Sequence, residues 1–224
     1  KQLHELELRI KEPRSFIQVI SGARQVGKST LIKQFLQENS IPYISVSADN
    51  VPRHNTEWIS THWESARQRI KIYNHSEFLL IIDEVHKIDN WSEAVKKEWD
   101  YDTFHDINLK VIILGSSRLL LKDGLSESLM GRYELIRMPH WSYSEMKEAF
   151  DFNLPQYIFY GGYPGAAKLI EHSDRYEQYI QSAIIEATIN KDILMDTPIS
   201  KPALLKQTFE LAAAYSGNLL SLTK

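Results

Sequence analysis

Residues Gly22-Ala23-Arg24-Gln25-Val26-Gly27-Lys28-Ser29 carry the spacing G-x-x-x-x-G-K-[ST], which suits a loop that cradles phosphates. Glycines let such a loop wrap closely and turn its backbone N–H groups inward as donors. A helix opening at Ser29 adds its positive N-terminal end. In that arrangement Lys28 would reach the outer phosphates, and the Ser29 hydroxyl would hold Mg²⁺. The candidate nucleotide contacts are therefore Gly22, Ala23, Arg24, Gln25, Val26, Gly27, Lys28, Ser29 and the following Thr30.

A second signal lies downstream, where the apolar run Leu79-Leu80-Ile81-Ile82 ends in Asp83-Glu84. Ligands in open α/β sheets bind beyond the carboxyl ends of the strands. Asp83 would face the loop there and bind Mg²⁺, directly or through water. Glu84 would polarise a water aimed at the γ-phosphate. An acidic pair after a strand also serves as a helix cap, so the reading rests on its pairing with Lys28. A third polar strand end, Leu114-Gly115-Ser116-Ser117-Arg118, offers Ser116 and Ser117 as hydroxyls near the γ-phosphate. The same serines would also cap a helix starting at Leu119. Arg118 and Arg132 are candidates for stabilising transition-state charge, in cis or from a neighbouring subunit, with Arg132 preferred.

Asp83-Glu84-Val85-His86 also spells the D-E-x-H box of nucleic-acid helicases. Such helicases pair two motor domains, and this chain has room for one sheet. The other histidines show no metal-ligand spacing. Trp91 and Trp99 stand two helical turns apart, which reads as core packing before a partner-binding stripe.

These groups need a frame. Short β-rich apolar runs at Phe16–Ser21, Tyr43–Val46, Phe78–Ile82, Lys110–Leu114 and Tyr133–Arg137 alternate with helical patterns. The helical segments are Ser29–Gln37, Thr56–Tyr73 and Trp91–Tyr101. Runs that are apolar throughout fit strands buried on both faces of a parallel sheet. The expected fold is α/β, a three-layer sandwich around a parallel sheet with crossover helices. After Pro139 the strand signal stops, and Ser142–Phe150, Pro155–Tyr160, Gly165–His172, Asp174–Lys191 and Lys201–Tyr215 read as helices. Gly161-Gly162-Tyr163-Pro164 and Thr197-Pro198 punctuate them.

The 224 residues are 43% hydrophobic and 25% charged, enough to bury a core of one large or two small domains. A net charge of −3 gives no bulk attraction to nucleic acid or anionic membrane. With no cysteine, disulfides, thiolate metal sites and cysteine nucleophiles are excluded. No apolar run reaches membrane-spanning length and no signal peptide is visible, so the expectation is a cytoplasmic protein without a membrane partner. The start at Lys1 and the stop at Lys224 read as cut ends of a longer chain.

Taken in order, Gly22–Ser29, Ile82–His86, Gly115–Arg118, Leu129–Arg132 and Tyr160–Pro164 resemble the prokaryotic AAA-superfamily P-loop ATPases that carry a C-terminal domain of unknown function. Arg24-Gln25 and the downstream Gly-Gly-x-Pro are the more specific parts of that resemblance. It implies an ASCE-type fold, with the sensor strand between the phosphate-loop strand and the Asp-Glu strand, bringing Ser116 or Ser117 to the γ-phosphate. It also implies a small helical lid. Gly162-Tyr163-Pro164 is similar to the G-x-P element of signal-transduction (STAND) ATPases, which places Pro164 near adenine. Gly131-Arg132 matches a family Gly-Arg, and relatives often complete the site with a neighbour's arginine, which implies a homo-oligomer. The expected layout is an ATPase core over 1–140, a lid over 141–198 and the start of a truncated C-terminal domain over 199–224. Ser29 stands where threonine is more usual, which keeps the metal-binding hydroxyl. DNA or protein partners are assigned to the C-terminal region that this chain barely begins.

The expected activity is hydrolysis of Mg·ATP by a molecular switch, with Mg²⁺ and ATP as cofactor and ligand. ATP is preferred to GTP because no Asn-Lys-x-Asp motif occurs. The alternative is a nucleotide-dependent scaffold or DNA-binding regulator that hydrolyses very slowly. A small-molecule kinase is the third reading, weakened by the glutamate beside Asp83.

Overall fold

The fully apolar runs become the central strands of one sheet. The computed structural model describes residues 1–116, 128–193 and 202–218. Strands β1 (Ile17–Gly22), β2 (Tyr43–Ser47), β3 (Phe78–Asp83), β4 (Leu109–Ser116) and β5 (Tyr133–Met138) lie in the order β2-β3-β4-β1-β5. Every neighbouring pair is parallel. β1 and β4 are buried along their whole length, and β3 up to Asp83, as strands covered on both faces must be. The edge strand β2 alternates between exposed and half-buried residues.

The two faces of the sheet build two cores. On one, Val19, Leu80, Ile82, Val111 and Ile113 pack with Ile59 and Trp63 of α3 (Glu57–Tyr73) and with Trp91, Val95 and Trp99 of α4 (Trp91–Phe104). On the other, Ile20, Leu79, Ile81, Ile112 and Leu114 pack with Leu6 and Ile10 of α1 (Gln2–Lys11) and with Leu31, Ile32 and Phe35 of α2 (Lys28–Glu38). Consecutive strand residues thus feed opposite layers, the alternation of a pleated strand. This is the expected three-layer α/β sandwich, with the Ser116 strand between the loop strand and the Asp83 strand. Trp91 and Trp99 are core residues, 0% and 4% exposed. Helix α1 has no counterpart in the sequence reading, although Leu3, Leu6 and Ile10 carry its apolar spacing.

One polar cluster stitches α3 to α4. Asp102, fully buried, accepts hydrogen bonds from Trp63 Nε1 at 2.6 Å and Arg67 Nε at 2.7 Å. Arg67 also donates to Glu98 at 2.7 Å. The Arg14 guanidinium carbon stands over the Trp99 ring, 3.5 Å from its centre, and the side chain donates to the backbone carbonyls of Leu109 and Trp99.

Beyond β5 come α5 (Tyr143–Phe150) and α6 (Leu154–Tyr160). Each starts with a reciprocal capping box, Ser142 with Glu145 and Asn153 with Gln156, which satisfies N–H groups left open at a helix start. The chain divides into two compact units, Lys1–Gly165 and Ala166–Lys224. In the second unit the helix expected over Gly165–His172 is a single 3₁₀ turn, Ala167–Leu169, closed by Leu169 N–H on the Ala166 carbonyl at 2.9 Å. The helix expected over Asp174–Lys191 is α-helical only as α7 (Ser173–Tyr179) and continues as π-type turns, Ile180–Glu186 and Thr188–Ile193. That continuation is rich in β-branched residues, which crowd an α-helix. Helix α8 spans Pro202–Ala214.

Replacing Asp102 by alanine leaves the Arg67 guanidinium and the Trp63 N–H without their buried acceptor. We expect a loss of about 3 kcal/mol or more in unfolding free energy, read by urea denaturation.

Candidate nucleotide site

The site forms where the central strands end. In parallel register Gly22 lies opposite Ser116 on one side and Met138 on the other, Asp83 opposite Leu114, and Ser47 opposite Asp83. The carboxyl ends of β1, β3 and β4 therefore bring Gly22, Asp83 and Ser116 to one edge, with strands about 5 Å apart. The loop after β1 turns directly into α2, whose N-cap is Gly27.

The two loop glycines are needed for different reasons. A Cβ on Gly22 would lie 2.4 Å from the Met138 carbonyl oxygen, so close packing against β5 excludes any side chain there. Gly27 adopts φ +97°, a left-handed backbone that glycine takes without strain. Gln25 is also left-handed, at φ 61°. Val26 is fully buried and anchors the loop, while Ser29 and Thr30 are exposed in the first turn of α2. That turn carries no acidic residue and no side-chain cap, so its positive end is not neutralised locally. Lys28 Nζ donates to the Gly22 and Ala23 carbonyls at 3.0 and 2.8 Å, which holds the ammonium over the hollow of the loop.

Glu84 follows Asp83 in a left-handed conformation, φ 55°, with its N–H on the Leu114 carbonyl at 3.0 Å. A glutamate in this region carries strain, a feature that clusters at functional sites. Its Oε2 is buried and makes no hydrogen bond among the described residues. His86 Nε2 lies 3.3 Å away and Lys87 Nζ 3.9 Å, within ion-pair reach but outside hydrogen-bond geometry. Lys87 also pairs, more closely, with Asp49. Burial pushes the Glu84 carboxyl above its usual range, opposed by the positive charges of Lys87, Arg24 and Lys28. Burial likewise raises Asp83, helped by the negative charge of Glu84. The loop cations and the strand-end acids thus sense one another electrostatically.

Ser116 completes the edge. It is 8% exposed, and its hydroxyl has no hydrogen-bond partner among the described residues. A buried hydroxyl without a partner costs free energy unless a ligand or water supplies one. Ser116 Oγ and Glu84 Oε2 are therefore two buried polar atoms without a hydrogen bond among the described residues, beside a loop edged with cations. These residues fit a Mg²⁺–triphosphate.

One candidate, Arg132, lies away from this edge. Arg132 precedes β5, and its carbonyl accepts from Ile17 N–H at the start of β1, the opposite end of the strand from the loop. Its guanidinium forms a two-pronged pair with Asp100, at 2.7 and 3.0 Å. Arg132 thus stands at the end of the sheet away from the loop of its own chain, paired with Asp100. Ser117 and Arg118 lie outside the described residues. Pro164 is half-buried in the turn after α6.

One residue at the site carried no signal in the sequence. Trp141 donates its indole N–H to the Val26 carbonyl at 3.0 Å and sits 4.0 Å from the position of a Cβ on Gly27. In the sequence it is only the apolar residue before the Ser142–Glu145 capping box, where packing is the usual role. Asp49, just beyond β2, was equally unmarked.

A parallel sheet in this order, with a G-x-x-x-x-G-K-S loop at its edge, defines a P-loop NTPase fold. Residues 14–147 match the family model described as an AAA domain, and the chain belongs to that family. Residues 151–224 match a domain of unknown function, DUF8612. The chain is similar to an uncharacterized protein of Haemophilus influenzae, 25% identical over 223 residues. That match covers 93% of the chain and 54% of the relative, so the chain spans about half the length of the curated relative it matches. The AAA domain supports nucleotide binding of the ATPase type. Among the described residues no helix is long and apolar enough to cross a membrane.

A raised carboxyl pKa sets the sign of a pH effect. An acid whose pKa is higher folded than unfolded lowers stability once pH rises past the unfolded value, and the penalty is complete above the folded value. Asp83→Asn removes that penalty. We expect the variant to melt at a higher temperature than the parent at pH 7 without nucleotide. The gain should vanish below the ordinary aspartate value of 3.8, as calorimetry across pH would read.

Proposed function

We propose that the chain binds Mg·ATP at the edge formed by Gly22–Thr30, Asp83, Glu84 and Ser116, and hydrolyses it as a molecular switch. The observation that carries this reading is the pairing of a cation-lined loop with two buried polar atoms, Glu84 Oε2 and Ser116 Oγ, that lack hydrogen bonds among the described residues. Mg²⁺ would supply Lewis-acid charge on the phosphates, held by the Ser29 hydroxyl and Asp83. The loop N–H groups and the α2 N-terminus orient the triphosphate. Lys28 exchanges its contacts with the Gly22 and Ala23 carbonyls for phosphate oxygens. Glu84, raised by burial, accepts a proton from the attacking water. Ser116 donates its open hydroxyl toward the γ-phosphate.

The switch reading assigns residues 141–198 to a helical lid and the part from 199 onward to a further domain, with the compact-unit boundary at Gly165 falling inside the lid segment. Ser117 and Pro164 remain proposed contacts, to the γ-phosphate and adenine respectively. Arg132 is assigned to a neighbouring subunit's site or to structure alone. Any DNA or protein partner is assigned to the C-terminal region that begins at residue 199.

Glu84→Gln should keep ATP affinity within about threefold and lower turnover about 10²-fold or more, the usual range for a lost general base. Lys28→Ala should lose affinity as well. Phosphate release under saturating Mg·ATP, beside equilibrium binding of a fluorescent ATP analogue, separates the two effects. Unchanged turnover in Glu84→Gln removes that residue from the reaction.

A further inference from the structure

Trp141 is tied to two distant parts of its unit at once. Its side chain reaches the phosphate-binding loop, through the indole N–H on the Val26 carbonyl at 3.0 Å. Its backbone reaches the turn after α6. Trp141 N–H donates to the Gly162 carbonyl at 3.0 Å, and the Trp141 carbonyl accepts from the Tyr157 hydroxyl at 2.9 Å. Gly162 approaches so closely that a Cβ there would stand 2.1 Å from the Trp141 carbonyl oxygen. His140, one residue before, packs edge-on against Tyr163, with ring centres 4.7 Å apart.

We infer that Trp141 is a positioning residue that transmits the state of the Gly161–Pro164 turn to the phosphate-binding loop, and so sets nucleotide affinity. The inference rests on the nucleotide reading above. Three features carry it. The Val26 carbonyl belongs to the half of the loop that must hold its shape for the N–H groups of Gly27 and Lys28 to converge on a phosphate. A rigid aromatic side chain with one directed donor fixes that carbonyl more tightly than apolar packing can. The backbone of the same residue is gripped by Gly162 and Tyr157, so a shift of the turn must move the indole. Sequence adjacency cannot produce this link, because Val26 and Trp141 are 115 positions apart and meet only because β1 and β5 end side by side, with Gly22 opposite Met138. Any ligand that orders the turn therefore tightens the loop, and by linkage a bound triphosphate orders the turn.

The test compares Trp141→Phe, Tyr157→Phe and the double variant in the full chain. Binding of a fluorescent ATP analogue is titrated with Mg²⁺ present, and thermal melting checks that each variant is folded. Trp141→Phe keeps an aromatic ring at the position but loses the indole donor and part of the ring's packing, and should raise Kd about fivefold or more, at least the scale of one hydrogen bond. Tyr157→Phe touches no loop atom and should raise Kd about twofold to threefold. The double variant should bind no more weakly than Trp141→Phe alone, because both act through one linkage. A Kd within a factor of 1.5 of the parent in folded Trp141→Phe overturns the inference, as do losses that simply multiply in the double variant. If the parent itself binds no ATP, the nucleotide reading fails first and this inference falls with it.

Discussion

A parallel sheet covered on both faces confines polar chemistry to its strand ends, and the site depends on that confinement. β1, β3 and β4 are buried almost throughout because helices seal both faces. The polar residues that end β3 and β4, Asp83 and Ser116, emerge at the carboxyl edge beside the loop that starts at Gly22. The burial that stabilises the core also desolvates these groups. It raises Asp83 and Glu84 and leaves the Ser116 hydroxyl without a partner. Core and site are two consequences of one packing arrangement, and the site bears the cost of the core's dryness.

Left-handed backbone positions refine the placement. Gln25, Gly27 and Glu84 all have positive φ, and each marks a point where the chain leaves a regular element to aim a backbone or side chain at the edge. The two helices on the opposite face from the loop helix are locked by Asp102 and Arg67, so the β3–α4 turn that carries Glu84 is anchored on its far side. Lys87 on Asp49 ties the same turn to the end of β2.

The strands and the loop were legible in the sequence because their signals are local. An apolar run bounded by Asp-Glu or Gly-Ser reads as a buried strand without knowledge of its neighbours, and each of the five strands lies within a few residues of its expected bounds. Ser116 beside Gly22 was expected only through the family's strand order, since nothing local sets which strand β4 adopts as a neighbour. Arg132 shows the limit: its position after Gly131 suggested charge stabilisation, but strand direction puts it at the far end of the sheet, on Asp100. Trp141 shows the converse. Its role depends on a hydrogen bond to a residue 115 positions away, which no spacing pattern encodes. The π-type turns after Tyr179 also escaped a reading based on 3.6-residue periodicity.

The central claim is that Mg·ATP supplies what the strand-end edge lacks. Thermal unfolding of the chain with and without nucleotide tests it most directly. At a hundredfold excess of Mg·ATP over Kd, mass action adds about 2.7 kcal/mol, a rise of about 5–10 °C in Tm for a chain of this size. The rise should shrink when EDTA removes the cation, because Asp83 and the Ser29 hydroxyl then have nothing to bind. No shift with millimolar Mg·ATP, or an equal shift with and without the cation, would contradict the account.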